Sequence, residues 1–259
     1  MRARDFIEFK HLPLTQMLLG ESFHPGGLAL THKLALKTQV SAESIVLDIG
    51  AGRCVSTHYL AQKFGASVYA VDVALDHLIN SRKDDIANSQ NKIHLIQGDT
   101  HHLPIASNSI DVVFCECVLG SFRNRQLALA EAYRVLKPNG YLAISDVYLN
   151  EQMPIELSVE INRWLRMCSA YSALRCKESI AQGGFCNLKF NDVSDHLLET
   201  IHTIETKLLK PDPKLHALIC QHSIEQRANW QHGIPRRLAH FIYDGGAGYY
   251  ILTAQKPKE

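Results

Sequence analysis

Between residues 46 and 54 the chain reads Val-Leu-Asp-Ile-Gly-Ala-Gly-Arg-Cys. This is an apolar run, a turn built on Gly50 and Gly52, and the start of a segment with apolar side chains at helical spacing (Val55, Tyr59, Leu60, Phe64) that stops at Gly65, a good helix C-cap. A strand that passes through a tight glycine turn into a helix is the repeating unit of a parallel α/β sheet. The following residues repeat it. Apolar runs at 67–71, 93–96, 110–115 and 141–147 read as further strands, and a helix over 126–136 is stopped by Pro138 and the Asn139-Gly140 turn. Each run is mostly apolar rather than strictly alternating, as in strands buried on both faces.

The later third is more helical. One helix is predicted from Pro154 to about Met167 and a second leads to Gly183-Gly184-Phe185. Leu197, Leu198, Ile201, Ile204 and Leu208 form one face of a third, ended by Pro211, and Asp212 with Pro213 reads as an N-cap and first helical residue of a fourth. Strands at 188–193 and 249–254 bring the sheet to seven. The return Gly245-Gly246-Ala247-Gly248 permits a hairpin-like entry, so the last strand should run antiparallel beside its predecessor. The fold class is therefore α/β, Rossmann-like, mostly parallel, with helices on both faces. No linker splits the chain. It reads as one domain over 1–259, with a helical cap at 1–37, a ligand-binding core at 40–150 and a helical insertion at 194–240 before the last strand.

Composition removes several function classes. Lys and Arg number 27 against 26 Asp and Glu, so the basic excess of a protein that grips phosphate backbones is missing and no nucleic-acid partner is expected. No window approaches about 20 consecutive apolar residues, so no membrane span is expected. The seven cysteines are scattered without a CxxC, which reads as reduced thiols and a cytoplasmic location. The 14 histidines show neither HxH nor HExxH, so no metal site is legible. Oligomeric state is left open.

The glycine turn narrows the ligand. Asp72 ends the second strand, and in an open α/β sheet the ends of the first two strands meet the ligand, where a carboxylate can accept both hydroxyls of a ribose. A dinucleotide site favours GxGxxG with a pyrophosphate on the helix N-terminus. Here Val55 occupies the third glycine position, and Asp48, two residues before Gly50, would repel a pyrophosphate. A nicotinamide oxidoreductase is disfavoured on both counts. A ligand with an ammonium, a sulfonium and no phosphate suits the loop, and S-adenosylmethionine (SAM) is such a ligand.

Further residues follow in order: Gly98-Asp99-Thr100 after the third strand, 111–116 in the fourth, and Leu136-Lys137-Pro138-Asn139-Gly140 before the fifth. Together with the glycine turn they resemble the class I SAM-dependent methyltransferases over about residues 40–150. The resemblance implies that Asp48, Gly50 and Gly52 line the methionine end, that Asp72 holds the ribose, and that Asp99 and Thr100 flank the adenine. Enzymes that methylate adenine or glutamine amino groups resemble one another in an Asn-Pro-Pro-Tyr type motif after strand four, but this chain has Phe114-Cys115-Glu116-Cys117-Val118-Leu119. The stretches 98–104, 109–114 and 136–140, with Gly184-Phe185, are closest to the small-molecule branch, including the quinone C-methyltransferases and arsenite methyltransferases. The expected partner is a small-molecule acceptor.

Because methyl transfer is an in-line displacement needing mainly alignment, no catalytic residue must announce itself. Glu116, at the end of strand four, is the best candidate for a methionine or substrate contact, with a surface ion pair as the alternative. Tyr148 and Asp146 end strand five and are expected at the same mouth. His101 and His102 read as solvated loop residues. Cys115 and Cys117, two apart on a strand, should share a face. Cys168 and Cys220 resemble in their order the cysteines of the arsenite enzymes, so a metalloid methyltransferase is one alternative. A non-catalytic SAM-binding member is another, favoured by Arg53 and Cys54 where many relatives have small residues or glycine. The 194–240 insertion is expected to wall the acceptor pocket, through its loops and residues 229–237.

Overall fold

The computed structural model describes residues 17–20, 22, 24–75, 78, 92–150, 171–210, 212–220 and 234–258. In chain order the elements are α1 (Gly27–Lys37), β1 (Ile45–Ile49), α2 (Val55–Phe64), β2 (Ser67–Asp72), β3 (Ile93–Gln97), β4 (Ile110–Glu116), α3 (Arg125–Val135), β5 (Leu136–Leu149), α4 (Ala173–Gln182), β6 (Cys186–Asp192), α5 (Ser194–Leu209), α6 (Pro213–Cys220), α7 (Ile234–Tyr243) and β7 (Ala247–Gln255). The strand order is β3-β2-β1-β4-β5-β7-β6. Pairings are parallel from β3 to β5, and β7 runs antiparallel to both β5 and β6. The expected late antiparallel insertion is therefore present. The order reverses at β1 and β4, the switch point at which ligands bind open α/β sheets.

The central strands β1, β2, β4, β5 and β7 are largely buried on both sides, as their apolar runs require, while the edge strands β3 and β6 are half-buried or exposed. On one face Leu47, Val113, Leu142 and Ile144 pack with Leu129, Ala132 and Val135 of α3 and Ile180 of α4. On the other, Val46, Val112, Phe114 and Tyr249 pack with Leu30 and Leu34 of α1, Leu60 of α2, Leu197 and Ile201 of α5, and Ile242 of α7. Gly65 caps α2 in a left-handed conformation (φ 71°), and Asp212 Oδ1 accepts the N–H groups of Lys214 and Leu215 at 2.8 and 3.0 Å at the start of α6.

Several details differ from the sequence reading. The helix expected to reach Leu136 ends at Val135, and β5 starts five residues earlier than Tyr141. Leu136 pairs with Ile110, and the register shifts before Val112, so Pro138 and left-handed Asn139 form an irregularity inside the strand rather than a turn before it. Cys115 and Cys117 do not share a face. Cys115 belongs to the α3–α4 side and Cys117 packs on the α1–α2 side, because Cys117 lies past the end of β4 with φ 53°. The helix expected over 154–167, with Arg163, Arg166 and Cys168, lies outside the described residues, as do most of residues 229–237. Among the described residues no helix is long and apolar enough to cross a membrane.

Candidate cofactor and acceptor site

The loop after β1 is shaped by left-handed residues. Gly50 and Gly52 have φ of 68° and 53°, values that cost a side chain energy and glycine little. Gly50 also has a neighbour that forbids a side chain: a Cβ there would lie 2.6 Å from Cγ2 of Val118. Cys54 adopts the same region (φ 60°) and is fully buried. That conformation costs a cysteine side chain energy that a glycine would be spared. The Gly50 N–H donates to the carbonyl of Val71 at 2.8 Å, so the loop is fastened to the end of β2.

Asp72 completes the fastening. Its Oδ2 accepts the Gly52 N–H and its Oδ1 the Ala74 N–H, both at 2.8 Å, and the residue is 9% exposed. The carboxylate thus braces the two loops at the ends of β1 and β2. Asp48 is buried at the end of β1, where the Thr57 hydroxyl donates to its Oδ2 at 2.5 Å. Burial pushes the Asp48 carboxyl up to about 7; the Thr57 bond opposes this, and the charges of Glu116 and Asp72 add to it. The Glu116 and Asp72 carboxylates are therefore close enough to act on Asp48.

At the end of β3, Asp99 caps the short 3₁₀ turn Thr100–His102, and Thr100 is buried. Against burial, hydrogen bonds from the His101 backbone and imidazole hold the Asp99 carboxyl below its ordinary range. His101 is not the solvated residue expected from the sequence. Its Nδ1 is 2.6 Å from Asp99 Oδ1, and its Nε2 accepts the N–H of Asn124 at 3.3 Å, wedging the imidazole between β3 and the start of α3.

Glu116 ends β4 with its side chain only 4% exposed, so it is no surface ion pair. The Thr31 hydroxyl of α1 lies 3.0 and 3.2 Å from its two oxygens, and Ser56 Oγ of α2 is 3.3 Å from Thr31. His24 Nε2 faces Glu116 Oε2 at 3.9 Å. The sequence reading missed Thr57, Thr31 and His24. Thr31, a polar residue on the buried face formed with Leu30, Leu34 and Ala35, is the one that carried a readable signal.

Asp146 braces the turn beside this group, and Tyr148 does not join it. Asp146 accepts the N–H groups of Gly120 and Val147 at 2.9 and 2.8 Å, supporting the turn Leu119–Ser121. The Tyr148 ring crosses β7 at Gly248, and its hydroxyl donates to Asp192 Oδ2 of β6 at 2.6 Å, so Tyr148 points away from Glu116. Among the described residues no three His, Cys, Asp or Glu side chains could hold a metal ion. Cys168 and the Cys220 side chain lie outside the description. Burial pushes the Cys115 and Cys176 thiols up, which disfavours thiolate there.

Residues 47–144 match the family described as a methyltransferase domain. Over this stretch the chain carries a methyltransferase domain. The chain is 29% identical over 136 residues to an arsenite methyltransferase of Halobacterium salinarum, covering 52% of this chain and 34% of that protein. It is 28% identical over 187 residues to a glycine/sarcosine/dimethylglycine N-methyltransferase of Actinopolyspora halophila, covering 68% and 33%. The chain thus spans about a third of the length of these curated relatives. Its fold is that of phosphoethanolamine N-methyltransferase 2 of Haemonchus contortus, solved with S-adenosyl-L-methionine, at a TM-score of 0.83 and 18% identity over 100% of this chain and 60% of that one. The cofactor of the methyltransferase domain is SAM. The buried carboxylates fit it: Asp48 is hard to ionise because it is buried, with Glu116 and Asp72 adding to the effect, and a ligand bearing two cationic groups supplies the missing countercharge.

Proposed function

We propose that the chain transfers the methyl group of SAM to a small-molecule acceptor. The observation that carries this reading is the alignment of Gly50, Gly52 and Asp48 at the end of β1, Asp72 at the end of β2 and Asp99–Thr100 after β3, on one edge of the sheet beside the switch point. In this reading Asp48, Gly50 and Gly52 hold the methionine end. Asp72 accepts the ribose hydroxyls with lone pairs left over from its two backbone bonds. Asp99 and Thr100 flank the adenine. Val118, against Gly50, and Glu116 stand on the methyl side. Relatives named for arsenite and for amine substrates support a small acceptor.

Calorimetric titration with SAM, S-adenosylhomocysteine (SAH) and NAD tests the cofactor assignment. Binding of the first two at micromolar levels and no binding of NAD is the expected pattern. NAD binding without SAM binding would overturn it. A chain that binds SAM yet methylates nothing in a mixed pool of small metabolites would be the non-catalytic alternative.

A further inference from the structure

His24 Nε2 and the Glu116 carboxylate face each other across 3.9 Å without a hydrogen bond between them. The His24 side chain is 9% exposed and that of Glu116 is 4% exposed. His24 Nδ1 lies 3.4 Å from the Pro25 carbonyl. A carbonyl only accepts, so Nδ1 carries the hydrogen, and in the neutral ring Nε2 keeps the lone pair. Among the described residues that buried Nε2 has no hydrogen-bond partner. It points at Glu116 Oε2 from 3.9 Å, beyond hydrogen-bond reach, while Thr31 fixes the carboxylate from α1.

The pair stands beside the loop assigned to the cofactor. The charge of Glu116 reaches Asp48, and Val118, two residues on, touches Gly50. The turn bearing His24 is held between α1 and α5. Its carbonyl accepts the Gly27 N–H at 3.2 Å, and a Cβ on Gly26 would lie 3.1 Å from the His196 ring.

Resting on the methyltransferase reading above, we propose that His24 Nε2 and the Glu116 carboxylate bind the nitrogen of an amine acceptor, and that His24 is the base that frees its lone pair. A buried lone pair and a buried carboxylate facing each other call for a group with more than one hydrogen. A hydroxyl offers one; an ammonium offers three and brings the charge that Glu116 lacks. Two acceptors bonded to one tetrahedral nitrogen at about 2.8 Å each stand roughly 4.5 Å apart, a small adjustment from the separation seen here. The proton and electron count closes. The acceptor arrives as R–NH3+, and His24 Nε2 takes one proton and becomes an imidazolium beside Glu116. The freed nitrogen lone pair forms the N–CH3 bond as the C–S bond breaks. The pair from that bond returns to sulfur, turning the sulfonium into a thioether. The product is a methylated ammonium, and His24 returns its proton to water.

The test uses methylammonium chloride as the smallest amine probe. The chain is labelled with 15N at histidine, and the His24 Nε2 resonance is assigned from its loss in His24→Gln. It is then titrated with and without SAH, with potassium chloride and methanol as controls. The expected result is a saturable shift of the Nε2 resonance with methylammonium alone, with affinity weakened about tenfold or more in Glu116→Gln, the scale of a hydrogen bond to a charged group. Should His24→Gln fail to fold, His24→Asn supplies the assignment, and circular dichroism reports the fold of each variant. A resonance that moves no more with methylammonium than with potassium chloride overturns the proposal. An equal shift with methanol overturns the choice of an amine. SAH binding is read separately by calorimetry, so failure of the cofactor assignment and failure of the amine site are distinct results.

Discussion

The Thr57 hydroxyl donates to Asp48 Oδ2 across 2.5 Å, joining the first turn of α2 to the end of β1 beneath the glycine loop. Even with this bond, burial holds the Asp48 carboxyl up at about 7, against about 4 in an unfolded chain. Because the folded pKa is raised, the associated stability is full below pH 4 and is lost as pH rises toward 7. The upper bound of the loss is on the order of 4 kcal/mol. Asp48→Asn should remove this slope and be more stable than the parent at pH 8, while binding SAM more weakly. Denaturant unfolding of both proteins from pH 4 to pH 8 measures it. A stability difference that does not vary with pH contradicts the assignment. SAM affinity of the parent should in turn weaken below pH 7, because a cationic ligand prefers the ionised carboxyl.

Asp72 has two functions to separate. Its two backbone bonds mean that Asp72→Ala should cost about 1–3 kcal/mol of stability, although the residue lies at a strand end. It should also weaken SAM binding about tenfold to a hundredfold. Asp72→Asn keeps one oxygen acceptor and should restore part of the stability but little of the ribose contact. Melting and calorimetry on the same preparations distinguish the two effects. Unchanged SAM affinity in a folded Asp72→Ala would remove Asp72 from the cofactor site.

Gly50→Ala combines a left-handed backbone with a contact of 2.6 Å to Val118. The expected cost is about 2–3 kcal/mol, together with loss of SAM binding. Val118→Ala in the same chain should recover the steric part and leave the backbone part. A double variant no more stable than Gly50→Ala would show that the loop, rather than the side-chain contact, carries the penalty.

Lys256, just past β7, is 7% exposed, and its ammonium donates to Asn108 Oδ1 at 2.7 Å and to the carbonyls of Tyr133 and Leu136 at 2.9 Å. It ties the end of the chain to the junction of α3 and β5, where Leu136 enters the sheet early. Lys256→Met should lower stability by about 2–4 kcal/mol by removing the ammonium's three hydrogen bonds, and Lys256→Arg should not restore it, since a planar fork does not match three converging oxygens. Thermal unfolding with SAH binding as a second readout checks this. Loss of SAH affinity without loss of stability would be the contrary result.

Read alone, the sequence carried the seven strands, the glycine turn, the helix caps at Gly65 and Asp212, the antiparallel entry of β7 and the strand-end carboxylates. All of these are local: an apolar run, a residue that tolerates positive φ or a proline that cannot donate acts through its own few neighbours. Tertiary packing decided the rest. Thr31 meets Glu116 across 85 residues, and Lys256 meets Asn108 across 148. Tyr148 turns toward Asp192 because Gly248 opens a path over β7, and Cys117 leaves the face of Cys115 because the chain has left β4 before reaching it. Hydrophobic periodicity reports which face of an element is buried. It does not report which distant polar group the packing of two elements brings within about 3 Å, and that contact decides whether a buried carboxylate is braced, shifted or left facing a histidine.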